Sequence, residues 1–187
     1  KRFMNIIETP IKDLLVLEPK IWKDSRGYFY ESFSQRVFDQ AGVSVTFVQD
    51  NQSFSQKGTL RGLHAQANPF AQGKLVRVIQ GSVVDVAVDI RKNSPTYGQH
   101  FAVELSGENH KQLWVPPGFL HGFLTLENDT IFTYKVTNYY DKDSEIGVMW
   151  NDKDLNINWS AYLDESEFLL SDKDLVLSNF ASLQSPF

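Results

Sequence analysis

What most constrains this chain is a recurring alternation of apolar residues, cut short each time by glycine or proline. In residues 83–90 one face carries Val84, Val86, Val88 and Ile90, and the other carries Val83, Asp85, Ala87 and Asp89. Residues 130–136 repeat the pattern with Phe132, Tyr134 and Val136, and Phe119, His121 and Phe123 do so after the turn Pro116-Pro117-Gly118. A period of two is the spacing of a strand, not of a helix. Residues 75–79 read as another strand, closed at Gly81. The aromatic load, 14 Phe, 7 Tyr and 4 Trp, suits pleated surfaces. Helical patterning is short: Ser34 can cap a helix through Arg36, Val37, Phe38 and Asp39 until Gly42 stops it, and a second short helix is expected after Asp172. The chain therefore reads as all-β, an antiparallel sandwich or barrel with a jelly roll among the options and a few short helices.

Composition narrows the function classes. At 187 residues, with no linker or repeat, the expectation is a single domain over 1–187. Lys1, Arg2 and Phe3 precede the first methionine, Met4, and stay out of the argument. Eighteen Lys and Arg against 23 Asp and Glu give a net charge of −5, which disfavours nucleic acid and anionic membranes as partners. A small anionic ligand needs only a local cationic pocket and is not disfavoured. The absence of cysteine excludes a disulfide scaffold, a Cys-ligated zinc and a cysteine nucleophile. No apolar run approaches the ~18 residues of a membrane span. Glu8, Lys12 and Asp13 interrupt any signal-peptide core, so a cytoplasmic location is expected. Residues 5–18 are apolar enough to need a cover.

Polar residues on apolar strands mark the candidate chemistry. His100 and His110 sit in polar sequence and are expected to face solvent, whereas His64 and His121 lie beside glycine and leucine. Each alone reads as a hydrogen-bonded core histidine. Together with Asp85 and Asp89 on a valine strand they suggest groups that pair or line a cavity, because a buried polar group is costly unless partnered. A metal site is weakly supported: Ala65 and Gln66 follow His64 where a closely spaced second histidine would strengthen it. Acid–base chemistry fits better, with a carboxylate-oriented histidine, a tyrosine across the cavity and Lys74 available to a developing oxyanion. No Gly-x-Ser-x-Gly elbow and no phosphate-cradling glycine loop is present. Arg26, Arg61, Arg77 and Arg91 are the candidate anion binders. Arg61 stands among apolar neighbours and needs a partner; the ordinary reading pairs it internally with Asp50 or Asp89.

These residues belong to longer motifs. In order they are Asp24-Ser25-Arg26-Gly27-Tyr28-Phe29-Tyr30-Glu31, Phe47-Val48-Gln49-Asp50-Asn51, Leu60-Arg61-Gly62-Leu63-His64, Ala71-Gln72-Gly73-Lys74-Leu75, Asp85-Val86-Ala87-Val88-Asp89, His121-Gly122-Phe123, Tyr134-Lys135 and Asn138-Tyr139-Tyr140. From roughly Leu15 to Asp174 the chain resembles the dTDP-4-dehydrorhamnose 3,5-epimerases, RmlC-type nucleotide-sugar epimerases of cupin-like jelly-roll fold. The resemblance implies a cofactor-free, metal-free enzyme that inverts C3 and C5 of dTDP-4-keto-6-deoxyglucose on the way to dTDP-rhamnose. It implies His64 as the base, Asp174 as its orienting carboxylate with Asp172 the rival, and Lys74 near the C4 oxygen. It further implies Tyr134 as the acid on the opposite face and His121 with Asp85 as a second buried pair. Arg26, Phe29, Glu31, Gln49, Asn51, Arg61, Tyr140, Glu145 and Lys173 fall where the family holds thymine, ribose and diphosphate. A homodimer with crossing N-terminal strands is also implied.

Three departures qualify the resemblance. Regular alternation puts Arg61 and His64 on opposite faces, so either Gly62 marks a bulge or the two serve different sites. The position after His64, usually aromatic in the family, is Ala65. Between Trp159 and Asp174 the chain is longer than many relatives, and Ser160 stands where proline is common. A single-centre epimerase of another deoxysugar pathway, a non-catalytic sugar-nucleotide-binding jelly roll and a metal cupin are the alternative readings.

Overall fold

A computed structural model describes residues 4–187; Lys1, Arg2 and Phe3 lie outside them. The elements in order are β1 (Met4–Glu8), β2 (Leu15–Pro19), β3 (Trp22–Asp24), β4 (Gly27–Phe29), α1 (Gln35–Gln40), β5 (Gln49–Ser55), β6 (Leu60–Gln66) and β7 (Lys74–Gln80). They continue with β8 (Ser82–Asp89), β9 (His100–Ser106), β10 (Gln112–Val115), β11 (Phe119–Thr125), β12 (Thr130–Val136) and β13 (Glu145–Gly147). One sheet has six strands in the order β1-β2-β10-β7-β12-β5 and the other five in the order β13-β6-β11-β8-β9, while β3 and β4 form a separate hairpin. Every pairing between these strands is antiparallel. The result is the all-β jelly-roll sandwich that the alternation predicts.

The alternation sorts side chains into three layers. Val83, Ala87, Phe119 and Phe123 from the five-stranded sheet meet Val76, Val78, Leu113 and Phe132 from the six-stranded one in the interior. The opposite face of the five-stranded sheet, with Val84, Val86, Val88, Leu120 and Leu124, is roofed by Leu155, Trp159, Phe168 and other residues of the C-terminal segment. Strand β8 is therefore buried at every position, which explains why its sequence shows valine on both faces. Helix α1 and the flanking Phe33 and Phe47 cover Leu17, Leu75 and Trp114 on the outside of the other sheet. Within residues 5–18, β1 and β2 pair with each other and Leu17 joins Met4 in the outer layer, while Ile7 stays 38% exposed.

Some local expectations change. Ser34 occupies the N-cap position of α1, but its side chain makes no capping bond. The second helix is only a 3-10 turn, Asp174–Val176. His110 does not face solvent: it is buried, with its ring 5.0 Å from Tyr28 and 5.1 Å from Tyr30. Burial, helped by the charges of Lys23 and Arg77, holds its pKa below the usual histidine range. His100 is half-buried. The polar sequence around His110 concealed the two tyrosine rings that pack on it. Among the described residues no helix is long and apolar enough to cross a membrane.

Asp89, buried at the end of β8, fixes the following turn. Its carboxylate accepts from Arg91 Nε at 3.0 Å, Ser94 Oγ at 2.5 Å and Thr96 Oγ1 at 2.6 Å. Burial pushes its pKa up, but these donors outweigh that and hold it at about 2. Asp89→Ala is expected to cost about 2–3 kcal/mol of stability, because Arg91, Ser94 and Thr96 lose their shared acceptor. The folded pKa lies below the unfolded one, so this contribution is present near neutrality and fades as pH falls from about 4 towards about 2. Urea denaturation of both proteins at pH 7 and down through that range checks the sign; a variant as stable as the parent at pH 7 would refute it.

Candidate active site

A cavity of about 290 Å³ opens between the two sheets. The five-stranded sheet sends Arg61 and His64 from β6 and His121 from β11 to its wall. The six-stranded sheet sends Lys74 from β7 and Phe132 and Tyr134 from β12. Tyr140, Glu145, Ser171, Lys173 and Asp174 add further polar groups to the lining.

Arg61 and His64 reach one cavity because β6 is irregular between them. His121 pairs with His64 and Phe123 with Arg61, so three steps on β6 oppose two on β11. That extra residue is a bulge and reverses the alternation. Gly62 makes it possible: its φ is +114°, and a Cβ there would stand 2.7 Å from both Gly122 Cα and the His121 carbonyl oxygen. The Gly62 N–H, turned out of the ladder, donates to Asp174 Oδ2 at 3.3 Å. Gly62→Ala is thus expected to cost about 2 kcal/mol or more and to lower kcat by displacing His64. Thermal melting with a rate assay checks both, and unaltered values for the two would refute the account.

Asp174 Oδ1 lies 2.6 Å from His64 Nε2. A carboxylate only accepts, so Nε2 carries the proton, and in the neutral imidazole the lone pair is on Nδ1. Asp174 is itself fixed by the Gly62 contact and by its own N–H, which donates to Ser171 Oγ at 3.3 Å. Burial raises its pKa, but the His64 bond and charge outweigh this and keep it below the usual range. Asp172 is exposed and does not line the cavity. A second pair repeats the theme deeper in, His121 Nε2 to Asp85 Oδ1 at 2.7 Å, with Asp85 Oδ2 buried and without a hydrogen-bond partner. Burial pushes Asp85 up against the opposing pull of His121 and Lys74. Burial also drives Lys74 down to about 8, although Asp85 and Glu145 pull it upward.

At the mouth, Glu145 Oε1 accepts from Lys173 Nζ at 2.5 Å and Oε2 from the Tyr140 hydroxyl at 3.2 Å. Arg61 reaches only Ser55 Oγ, at 3.4 Å. The internal ion pair expected for it does not form, because Asp50 is held by Lys135 and Asp89 by Arg91; among the described residues Arg61 has no carboxylate partner. Gln49 and Asn51 stand on β5, bonded to each other at 2.8 Å, with Asn51 in register with Tyr134. Arg26, Phe29 and Glu31 do not line the cavity of their own chain. They sit on or beside the β3–β4 hairpin, Arg26 88% exposed and paired with Asp24, Phe29 70% exposed. Ala65 lines the cavity beside His64. Sequence reading passed over Ser171, which no motif singles out, and Phe132, whose place beside Tyr134 in the alternation points to the same wall. Among the described residues no group of three or more His, Cys, Asp or Glu is arranged to hold a metal ion.

The arrangement offers a carboxylate-oriented imidazole on one sheet, a phenol on the facing sheet, and an amine on the same wall as the phenol. Comparison with known proteins now decides the family. The family model described as dTDP-4-dehydrorhamnose 3,5-epimerase matches residues 8–182. The chain belongs to the dTDP-4-dehydrorhamnose 3,5-epimerase family. A relative of that name from Shigella flexneri is 55% identical over 173 residues, 92% of this chain and 93% of the relative. The crystal structure of the dTDP-6-deoxy-D-glucose-3,5-epimerase RmlC of Legionella pneumophila, in complex with dTDP-4-keto-L-rhamnose, superposes with a TM-score of 0.91. It is 47% identical, over 97% of this chain and 95% of that one. A 3'-monoepimerase from Streptomyces bikiniensis, in complex with dTDP-quinovose, shares the fold at a TM-score of 0.86 and 33% identity, over 92% and 86% of the two chains. Proteins that share this fold thus include a named 3,5-epimerase and a named 3'-monoepimerase.

Proposed function

We propose that this chain inverts C3 and C5 of dTDP-4-keto-6-deoxyglucose to give dTDP-4-keto-rhamnose, for dTDP-rhamnose biosynthesis. The observation that carries the reading is the placement of His64 and Tyr134 on facing sheets of one cavity, with Lys74 on the same lining. Inversion needs a base on one face of the carbon and an acid on the other. His64, oriented by Asp174, removes the proton next to the 4-keto group through Nδ1. The electron pair moves onto the C4 oxygen, where Lys74 in its charged form stabilises the enolate. Tyr134 returns a proton from the opposite side. Because one keto group acidifies both C3–H and C5–H, the same pair serves both centres after a ring shift, once solvent has taken the proton from His64 and returned one to Tyr134. His121, backed by the buried Asp85, gives the deeper end of the cavity a polar group. Arg61, Tyr140, Glu145 and Lys173 at the mouth, with Gln49 and Asn51 on β5, receive the nucleotide.

The exposed hairpin supports a homodimer. Arg26, Phe29 and Glu31 present a cation, an aromatic face and a carboxylate away from their own cavity, the set a thymidine diphosphate needs, so a second copy brings them to the site. The cytoplasm, where a cysteine-free chain with a soluble nucleotide-sugar substrate works, is the proposed location.

The test is turnover of dTDP-4-keto-6-deoxyglucose in deuterium oxide, followed by NMR, with light scattering for the dimer. Deuterium at both C3 and C5 supports the double inversion. A label at C3 alone selects the single-centre reading that the Streptomyces bikiniensis relative keeps in view, and no label at all overturns both.

A further inference from the structure

His64 Nε2 faces two carboxylates rather than one. Asp174 Oδ1 is 2.6 Å away and Glu145 Oε1 3.9 Å away. Glu145 arrives on β13, whose Gly147 is in register with His64 and whose Glu145 is in register with Gln66. The two acids differ in one respect. The Asp174 carboxylate accepts from the uncharged Gly62 N–H and from His64 itself, and Lys173 acts on it only as a more distant charge. Glu145 is neutralised by Lys173, whose ammonium is 2.5 Å from the very oxygen that faces His64. Lys173 is 55% exposed, while the Glu145 side chain is 13% exposed. The cation is therefore the solvent-facing half of the pair, and it stands where an incoming anion meets the mouth.

We propose that Glu145 is a positioning residue for His64, whose charge is screened by Lys173 in the free enzyme and delivered to the imidazole when the substrate's diphosphate draws Lys173 away. The proposal rests on the reading of His64 as base. Its chemistry is electrostatic: the base becomes an imidazolium as it takes the proton, and an unscreened carboxylate 3.9 Å from Nε2 stabilises that charge. Tyr140 keeps Glu145 in place through Oε2 when Lys173 leaves. Burial pushes Glu145 towards the neutral acid, but Lys173, His64 and Tyr140 together outweigh it and keep it ionised. The other charged or titratable groups around His64 are Arg61 on its own strand, Lys74 on β7, Tyr134 on β12, and His121 on β11 with its partner Asp85. None of these pairs with an exposed counter-ion at the mouth, so the Glu145–Lys173 pair is the one whose balance a diphosphate resets.

The test is a set of pH profiles for the full chain, kcat for the substrate complex and kcat/KM for the free enzyme. In the parent the acid limb of kcat is expected at higher pH than that of kcat/KM. Glu145→Gln keeps the shape and the Tyr140 contact; it is expected to shift the kcat limb to lower pH by about one unit and to shrink the gap between the limbs by at least half. Lys173→Met, at an exposed position, is expected to raise the kcat/KM limb towards the kcat limb, and it keeps the proposal testable if Glu145→Gln fails to fold. If either variant raises KM while leaving both limbs where they were, Glu145 and Lys173 are plain substrate contacts and the proposal falls. A parent enzyme that exchanges no deuterium would instead overturn the assigned reaction.

Discussion

His64→Asn is expected to lower kcat by about 10²- to 10⁴-fold, the range that general-base catalysis supplies. Asparagine keeps a polar side chain near Asp174 but presents no basic nitrogen to the carbon acid. The loss should fall on kcat, since His64 meets the reacting carbon and the nucleotide is received by groups nearer the mouth. Exchange into C3 and into C5 should fall together, because one imidazole serves both. Deuterium incorporation at each carbon, measured by NMR on the same sample, reads this directly. Loss at C5 with exchange at C3 intact would show two bases and break the single-base account. The melting temperature separates chemistry from folding: His64 is half-buried and its partner Asp174 is held independently by Gly62 and Ser171, so the variant should remain folded.

Much of this was legible in the residues, and for a physical reason. A strand writes its two faces into every second position, so the placing of Val83 and Ala87 against the interior and of Val84, Val86 and Val88 against the outer cover follows from spacing alone. By the same rule Phe119, His121 and Phe123 belong on one wall, as they do. Arg61 and His64 escape the rule because a bulge adds a residue without any change in hydrophobic pattern; only Gly62, a residue that tolerates positive φ, hints at it. His110 was misplaced because its burial comes from Tyr28 and Tyr30, some eighty residues earlier. Contacts that distant leave no local signature. The hairpin carrying Arg26 and Phe29 shows the limit from the other side: motif order ties it to nucleotide recognition, yet its own chain leaves it pointing away from the cavity.

Lys74→Met is expected to cost activity and yet strengthen the fold. An amine that stabilises the enolate oxygen acts like one oxyanion-hole donor, so its removal should lower kcat by about 10²- to 10³-fold. In the parent, kcat/KM should also fall as pH rises through about 8, where burial has brought the Lys74 pKa in the free enzyme and where its charge is lost. The stability effect has the opposite sign. The folded pKa of about 8 lies below the unfolded value near 10.5, so between them the unfolded chain holds the extra proton and stability rises with pH. Below about 8 the cost of keeping a charged amine in the cavity is present in full, with a ceiling of about 3 kcal/mol from a difference of roughly 2.5 units, and water in the cavity makes it smaller. Methionine removes that cost and fills the same space, so at pH 7 the variant should melt several degrees higher, about 2–4 °C for each kcal/mol in a chain of this size. The advantage should vanish above about pH 10.5, where the unfolded amine is neutral too. Calorimetry at pH 7 and above pH 10.5, with the variant's kcat at pH 7 and the parent's kcat/KM on both sides of pH 8, tests the four statements together. A variant that loses activity and also melts lower at pH 7 would show that Lys74 holds the fold together, and that its charge in the cavity is not kept there at the expense of stability.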